Sequence, residues 1–384
     1  MKARKLFKIL GWAAAIAALL VIVGIVALRS TFLKSFPALE GTPEVGKWYE
    51  VQFDDAVCAH GDPWFGLFRK GTENKVLIEF FGGGVSLDPY TAARGNSLVE
   101  KGGYYADNAK NQDFIATFGI GGQQEDNPFK DWTMIVLPYA AGDFHCGTND
   151  YPYTGLDGKQ HILHHHGYTN YSMLLERLLP YLGTPDELVI TGSSAGGWAT
   201  SILADDVISH FPGTENVTVF VDSSFLYYDD WKGTARDIWG TPSAIVERIV
   251  SDNIVLDCLT ALRRDHPEVK ILFDCSVRDN ALANYQAYID RGDNSVTTRA
   301  DGDVFQKNLR KMVAGLQEQV PGCGIFLWDD VWDNEKEALT MHTILISHHF
   351  FTDRAGNGSI CDWLTDAIGG NVYSRGLELI DKEY

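Results

Sequence analysis

Cysteine is sparse in this chain. None of the six, Cys58, Cys146, Cys258, Cys275, Cys323 and Cys361, stands in a C-x-x-C pair, so zinc-ribbon and thioredoxin-like readings have no support. Phosphate-binding signatures are missing too. No G-K-[ST] follows a glycine run, and no G-x-G-x-x-G leads to a ribose-binding acid at the expected distance, which argues against a nucleotide loop. Basic residues are scarce: residues 35–384 hold 26 Lys and Arg against 51 Asp and Glu, a net −25. Such a surface repels nucleic acid and anionic membranes, so nucleic acid is not an expected partner. A polyanionic substrate would require a local basic patch, and none is visible. There is also no internal repeat and no low-complexity spacer after the first 45 residues.

What is present is enough to build a large core, with 45% hydrophobic and 12% aromatic residues in 384. The N-terminus differs in kind. Residues 1–8 carry Lys2, Arg4, Lys5 and Lys8, and residues 9–28 form an unbroken run, "ILGWAAAIAALLVIVGIVAL". Twenty such residues as a helix span about 30 Å, the thickness of a bilayer core. The expectation is a transmembrane signal-anchor over 9–28, with the N-terminus inside and the remainder outside. Secretion after signal cleavage is the alternative, although no small-x-small cleavage site follows. Residues 29–45 read as a linker and 46–384 as one large domain. On an exported chain, six cysteines permit up to three disulfides.

Short apolar runs bounded by Gly, Pro, Asn or Asp recur along that domain: 75–81, 132–139, 187–192, 217–222, 269–275 and 324–330. Their β-branched and aromatic content predicts buried strands of a parallel sheet. Helical patterns lie over 168–182, 195–211, 280–290 and 338–351. The alternation predicts an α/β fold with one doubly wound, mostly parallel sheet, and the junction that follows makes it α/β-hydrolase-like.

One strand-to-helix junction, "ELVITGSSAGGWA", contains G-x-S-x-G centred on Ser194. Ser193 is excluded because only Ser194 has glycine at both −2 and +2. In a nucleophile elbow the serine sits on a sharp turn where side chains at those positions would strike the sheet. The backbone N–H of Ala195, at the helix start, then points at a developing oxyanion. The plainer alternative is a tight β–α turn in which Ser194 caps the helix. "IEFFGGGVSLD" ends an early strand with Gly82-Gly83-Gly84, where this architecture draws its second oxyanion donor.

An elbow of this kind needs an acid after a later strand and a histidine later still. Asp279 follows the second strand after the elbow and is favoured. Asp222, ending the intervening strand, and Asp274, within the second strand, are competitors; for Asp222 the alternative is a loop-closing bond to backbone N–H groups. Among the late histidines, His342 opens a helical stretch near a loop, whereas His348 and His349 lie deeper. A second group, His161, His164, His165 and His166, is read as a loop over the active-site edge rather than a metal site, since no Asp, Glu or Cys partner has ligand spacing. His145 is read in the same way, with Asp143 ordering its loop.

Taken in order, these blocks resemble the pectin acetylesterase/Notum family of serine carboxylesterases, bacterial-type members above all. The resemblance runs from about residue 54 to 351 and rests on "CAHGDPWFGLFRKGTENKVLIEFFGGG", "NPFKDWTMIVLPYAAGDFHCG", "HHGYTN", "GSSAGG", "SVRDNALANYQ" and "MHTIL". It implies a catalytic set of Ser194, Asp279 and His342, an oxyanion hole from Gly83, Gly84 and Ala195, and no metal or organic cofactor. It further implies an acylated, most simply acetylated, carbohydrate or small ester as substrate. The chain departs from the family at Val85-Ser86-Leu87 and at Ala140-Ala141, where family members carry cysteines, and Cys146 is additional. Those departures leave the disulfide pattern and the acyl-pocket wall near Val85 open.

Overall fold

A computed structural model describes residues 35–95, 102–292 and 296–384. The segment expected to span a membrane, 9–28, lies outside the described residues. Among those described, no helix is long and apolar enough to cross a bilayer. Within the stretch read as linker, Pro37 to Leu39 already pair with Glu50 of the first strand, and Phe36 stacks on Trp48.

Eight strands form one sheet. They are β1 (Trp48–Val57), β2 (Pro63–Arg69), β3 (Lys75–Phe80), β4 (Thr133–Leu137), β7 (Glu187–Ser193), β8 (Asn216–Asp222), β9 (Lys270–Ser276) and β10 (Gly324–Trp328), in the order β1-β2-β4-β3-β7-β8-β9-β10. The last six run parallel; β2 is antiparallel to both β1 and β4. All six apolar runs picked out in the sequence are those parallel strands. Their near-continuous burial is what a sheet covered by helices demands. The outer edge of β10 is closed by Arg375, which exchanges backbone bonds with Ile325 and Leu327, so no long bare edge remains there.

Six longer helices serve the sheet: α1 (Gly167–Leu178), α2 (Ala195–Ser209), α3 (Ile254–Asp265), α4 (Asn280–Arg291), α5 (Arg299–Gln319) and α6 (Ile360–Ile368). Helix α2 is apolar almost all round because it is enclosed, packing on β3, β7 and β8 and against α3. Helix α6 docks on β8 and β9 through Trp363, whose ring meets Phe220 and Phe326.

Two sequence expectations give way to other structures. Residues 338–351 do not form the helix expected. They hold the short strand β12 (Leu339–Thr340), paired with β11 (Trp332–Asn334), then a loop and a single 3-10 turn. Ala338 and Thr343 adopt left-handed backbone, which breaks a helix. The apolar residues that mimicked a helical stripe, Leu339, Ile344, Leu345 and Phe350, are all buried, but along an irregular path. The histidine-rich run is likewise not a loop. It is strand β6 (Gln160–His165), paired antiparallel with β5 (Asn149–Thr154) as a separate hairpin.

Because β3, β7, β9 and β10 run parallel, the segments leaving their carboxyl ends emerge on one edge of the sheet. That edge is where ligands bind in open α/β sheets, and it collects Gly82–Gly84, Ser194, Asp279 and His342.

Candidate active site

Ser194 has φ 55° and ψ −131°, a conformation strained for any residue with a side chain. The turn is held by its own backbone. Ser194 N–H donates to Asp222 O at 3.0 Å, and its carbonyl accepts from Gly197 N–H at 2.7 Å and the Ser224 hydroxyl at 2.6 Å. The glycine spacing is steric. A Cβ on Gly192 would strike the Gly196 carbonyl, and one on Gly196 would strike the Phe80 carbonyl. A Cβ on Gly82 would strike the Ser193 carbonyl, so the glycine run lies against the turn. Ser194 makes no side-chain cap to α2, which removes the plainer reading of the motif.

Gly84 has φ +81°, and a Cβ there would collide with the Tyr104 carbonyl and the Tyr285 hydroxyl. Its loop is pinned on both sides: Ala106 N–H donates to Gly83 O at 2.6 Å and Val85 N–H to Tyr104 O at 2.8 Å. Beneath it, His145 Nε2–H donates to Phe81 O at 2.9 Å, one residue before the glycines. Burial pulls the His145 imidazole down to about 4, so it is neutral. His145 therefore sits in a loop beside the candidate site, as expected, but as a buried support for the glycine run. Asp143 does order its loop, accepting from the N–H groups of His145, Gly147 and Gly167 at 3.0, 3.2 and 2.7 Å.

The acid and the histidine meet. Asp279 is fully buried after β9, and its two oxygens have separate tasks. Oδ1 caps α4 by accepting Leu282 N–H at 2.9 Å, and Oδ2 accepts the His342 Nδ1–H at 2.7 Å. That bond directs Nε2 of His342 away from the acid. Burial depresses the His342 pKa, but the Asp279, Asp222 and Asp333 carboxylates outweigh it and hold the pKa above the ordinary 6.5. His342 and Ser194 line one cleft of about 280 Å³ with Gly82, Gly83, Gly84, Tyr285 and Ile346. His348 and His349 lie in the 3-10 turn and do not line it. A larger cavity of about 360 Å³, beside Arg248 and Arg264, shares no residue with this cleft.

The competing acids hold the framework. Asp222 Oδ2 accepts the N–H groups of Ile344 and Leu345, each at 2.9 Å, and so carries the loop that follows His342. Asp274 pairs with Asp222 and accepts from Trp328 Nε1 at 2.9 Å. Burial and the neighbouring Asp222 charge push the Asp274 carboxyl far up. Two residues that sequence reasoning missed complete the support. Arg278 is buried, donating Nε–H to Ala338 O at 2.6 Å, while Thr340 N–H donates to Arg278 O at 2.9 Å. These bonds lace the acid loop to the histidine loop. Its position beside Asp279, at the end of a buried strand, was the available signal. Tyr285, whose hydroxyl donates to Tyr104 O at 2.6 Å, forms a wall of the cleft, and no local pattern marks it.

Beside Ser194 lies a small apolar recess bounded by Val85, Phe144, Trp198, Leu226, Leu282 and Tyr285. Its volume is about 10 Å³, the room of roughly one water-sized sphere. Phe144 stacks on Trp198 at 4.7 Å and meets Trp239 edge-on at 5.2 Å, so the floor is packed solid.

The histidine-rich hairpin also differs from expectation in its partners. Register places Asp150 opposite His164. Asp150 Oδ1 lies 2.6 Å from His164 Nδ1 and 2.9 Å from His166 Nε2. An acidic partner, absent by linear spacing, is supplied across the strands. His165 faces the other way, donating Nδ1–H to Ala141 O at 2.7 Å. All six cysteines are unpaired thiols.

The family described as Pectinacetylesterase matches residues 49–241, just over half of the chain. No curated protein matches it. Among solved structures, the Wnt deacylase Notum from Drosophila is similar in fold, with a TM-score of 0.57 at 15% identity, covering 85% of this chain and 95% of that one. With the family match over its glycine loop and elbow, and with a Notum-like α/β-hydrolase sheet carrying both, the chain belongs to the pectinacetylesterase family and is a carboxylic ester hydrolase.

Proposed function

We propose that the protein removes acetyl groups from uncharged O-acetylated glycans, using Ser194 as nucleophile, His342 as base and Asp279 as its orienting acid. The observation that carries the acetyl assignment is the recess of about 10 Å³ beside Ser194. It is of a size to take a methyl group, which favours acetate over a long acyl chain. The preference for an uncharged glycan rests on the cleft lining, which contains no Lys or Arg, on a chain whose residues 35–384 carry a net charge of −25. A polyuronate would be repelled.

Ser194 Oγ attacks the ester carbonyl carbon as His342 Nε2 takes its proton. Asp279 holds the opposite nitrogen and stabilises the imidazolium. The carbonyl oxygen becomes an oxyanion, received by the N–H of Ala195 and those of the Gly83–Gly84 turn. On collapse the sugar oxygen leaves with the His342 proton, and acetyl remains on Ser194. Water, deprotonated by His342, then attacks the acyl-enzyme, and acetate departs as the proton returns to Ser194. No step calls for a metal or organic cofactor. Residues 9–28 would tether this domain on the extracytoplasmic side of a membrane.

Ser194→Ala should abolish release of p-nitrophenol from p-nitrophenyl acetate and labelling by a fluorophosphonate, with an unchanged unfolding temperature; retained turnover would sink the mechanism. In an ester panel, acetate should exceed octanoate. The reverse order would favour a longer-chain deacylase, and absence of both turnover and labelling would leave a non-catalytic binding protein.

A further inference from the structure

The hairpin β5–β6 plays no part in the acyl-transfer scheme, yet it gathers the one group of three metal-binding side chains found among the described residues. We propose that Asp150, His164 and His166 form a binding site for a divalent transition-metal ion of the zinc class.

The geometry is that of a strand face. Asp150 and His164 are directly opposed across the antiparallel pair, and His166, just past the end of β6 at the start of α1, turns its ring back to the same carboxylate. The three ligand atoms lie within 4.8 Å of one another. Both imidazoles already aim at a single carboxylate oxygen, His164 through Nδ1 and His166 through Nε2. An ion with bonds of about 2.0–2.2 Å needs its ligands about 3.3 Å apart, which small rotations of these side chains supply.

The backbone that carries them is fixed. His164 N–H donates to Ala59 O at 2.9 Å, the intervening His165 is buried on the opposite face, and Gly167 N–H is held by Asp143. Asp150 is half exposed, so an ion has a way in, and the fourth position faces solvent. Two imidazoles with one carboxylate suit Zn²⁺, Ni²⁺ or Cu²⁺, whereas Mg²⁺ and Ca²⁺ prefer all-oxygen shells. None of the three residues lines the cleft that holds Ser194 and His342. The ion would therefore cross-link the hairpin to the start of α1 rather than take part in ester hydrolysis.

The test uses tag-free, full-length protein stripped with chelator and titrated with Co²⁺, read by its visible absorption. One Co²⁺ per chain should bind and be displaced by Zn²⁺ but not by Mg²⁺. His166→Ala and Asp150→Ala should each weaken Co²⁺ binding at least tenfold. His161→Ala, a matched deletion of a nearby histidine outside the trio, should leave it unchanged. The unfolding temperature of each stripped variant reports that it is folded. Absence of stoichiometric Co²⁺ binding by the wild type, or equal loss in His166→Ala and His161→Ala, would overturn the proposal.

Discussion

Asp279→Asn separates the two tasks of one buried side chain. The Asp279 carboxylate caps α4 with Oδ1 and orients His342 with Oδ2. Asparagine keeps the first role, since its carbonyl oxygen can accept Leu282 N–H and Asn caps helices as well as Asp does. It reverses the second. Its amide N–H₂ then faces His342 Nδ1 as a donor, so Nδ1 must accept and the ring proton moves to Nε2. That nitrogen can no longer take a proton from Ser194. The expected loss in kcat is roughly 10⁴-fold, as in other triads with this change, equivalent to about 5.5 kcal/mol of transition-state stabilisation. Stability should barely move. Asp279→Ala removes both roles and should in addition lose the cap, about 1 kcal/mol, lowering the unfolding temperature of a domain this large by about 1–2 °C. The assays are p-nitrophenyl acetate turnover and calorimetry on the same preparations. If Asp279→Asn stays within tenfold of wild type while Asp222→Asn collapses, the acid has been misassigned and the reasoning fails.

Three further outcomes follow from the same geometry. Because the surrounding carboxylates hold His342 above its ordinary 6.5, it keeps its proton to higher pH, so kcat/KM for the acetate ester should fall on acidification with a midpoint above 6.5; a midpoint below that value in a pH profile would contradict the assignment. Asp222→Ala orphans the buried N–H groups of Ile344 and Leu345 at about 1–3 kcal/mol each, so urea titration should register a loss of about 2–6 kcal/mol. Leu226→Ala opens the wall of the acyl recess and should raise the butyrate-to-acetate ratio of kcat/KM roughly tenfold; an unchanged ratio would place the acyl group elsewhere.

Several elements were legible in the chain because their cause is local. The six parallel strands are buried along nearly their whole length, so continuous apolar runs mark them. The elbow glycines are demanded by contacts within a few residues and with one adjacent strand, and that demand survives as a pattern. Asp222, set beside its alternative as a loop-closing acceptor, takes that role in the fold. Helices α3, α5 and α6 went unread, as did β1 and β2. Residues 338–351 misled because burial along an irregular loop imitates a helical stripe when only hydrophobicity is read.

Sequence alone determined the order of the parts: a glycine run after one strand, a serine on a turn after another, an acid and a histidine later, each tied to a short segment whose side chains and backbone dictate its form. Tertiary structure decided what those parts meet. The Asp279–His342 bond spans 63 residues, the Asp222 contact with the histidine loop spans 122, and Asp150 reaches His164 only through the hairpin register. The size of the apolar recess beside Ser194 is decided by Val85, Phe144, Trp198, Leu226, Leu282 and Tyr285 converging from distant segments. Linear spacing carries no record of such contacts, because they depend on strand register and on side chains from different elements filling one space.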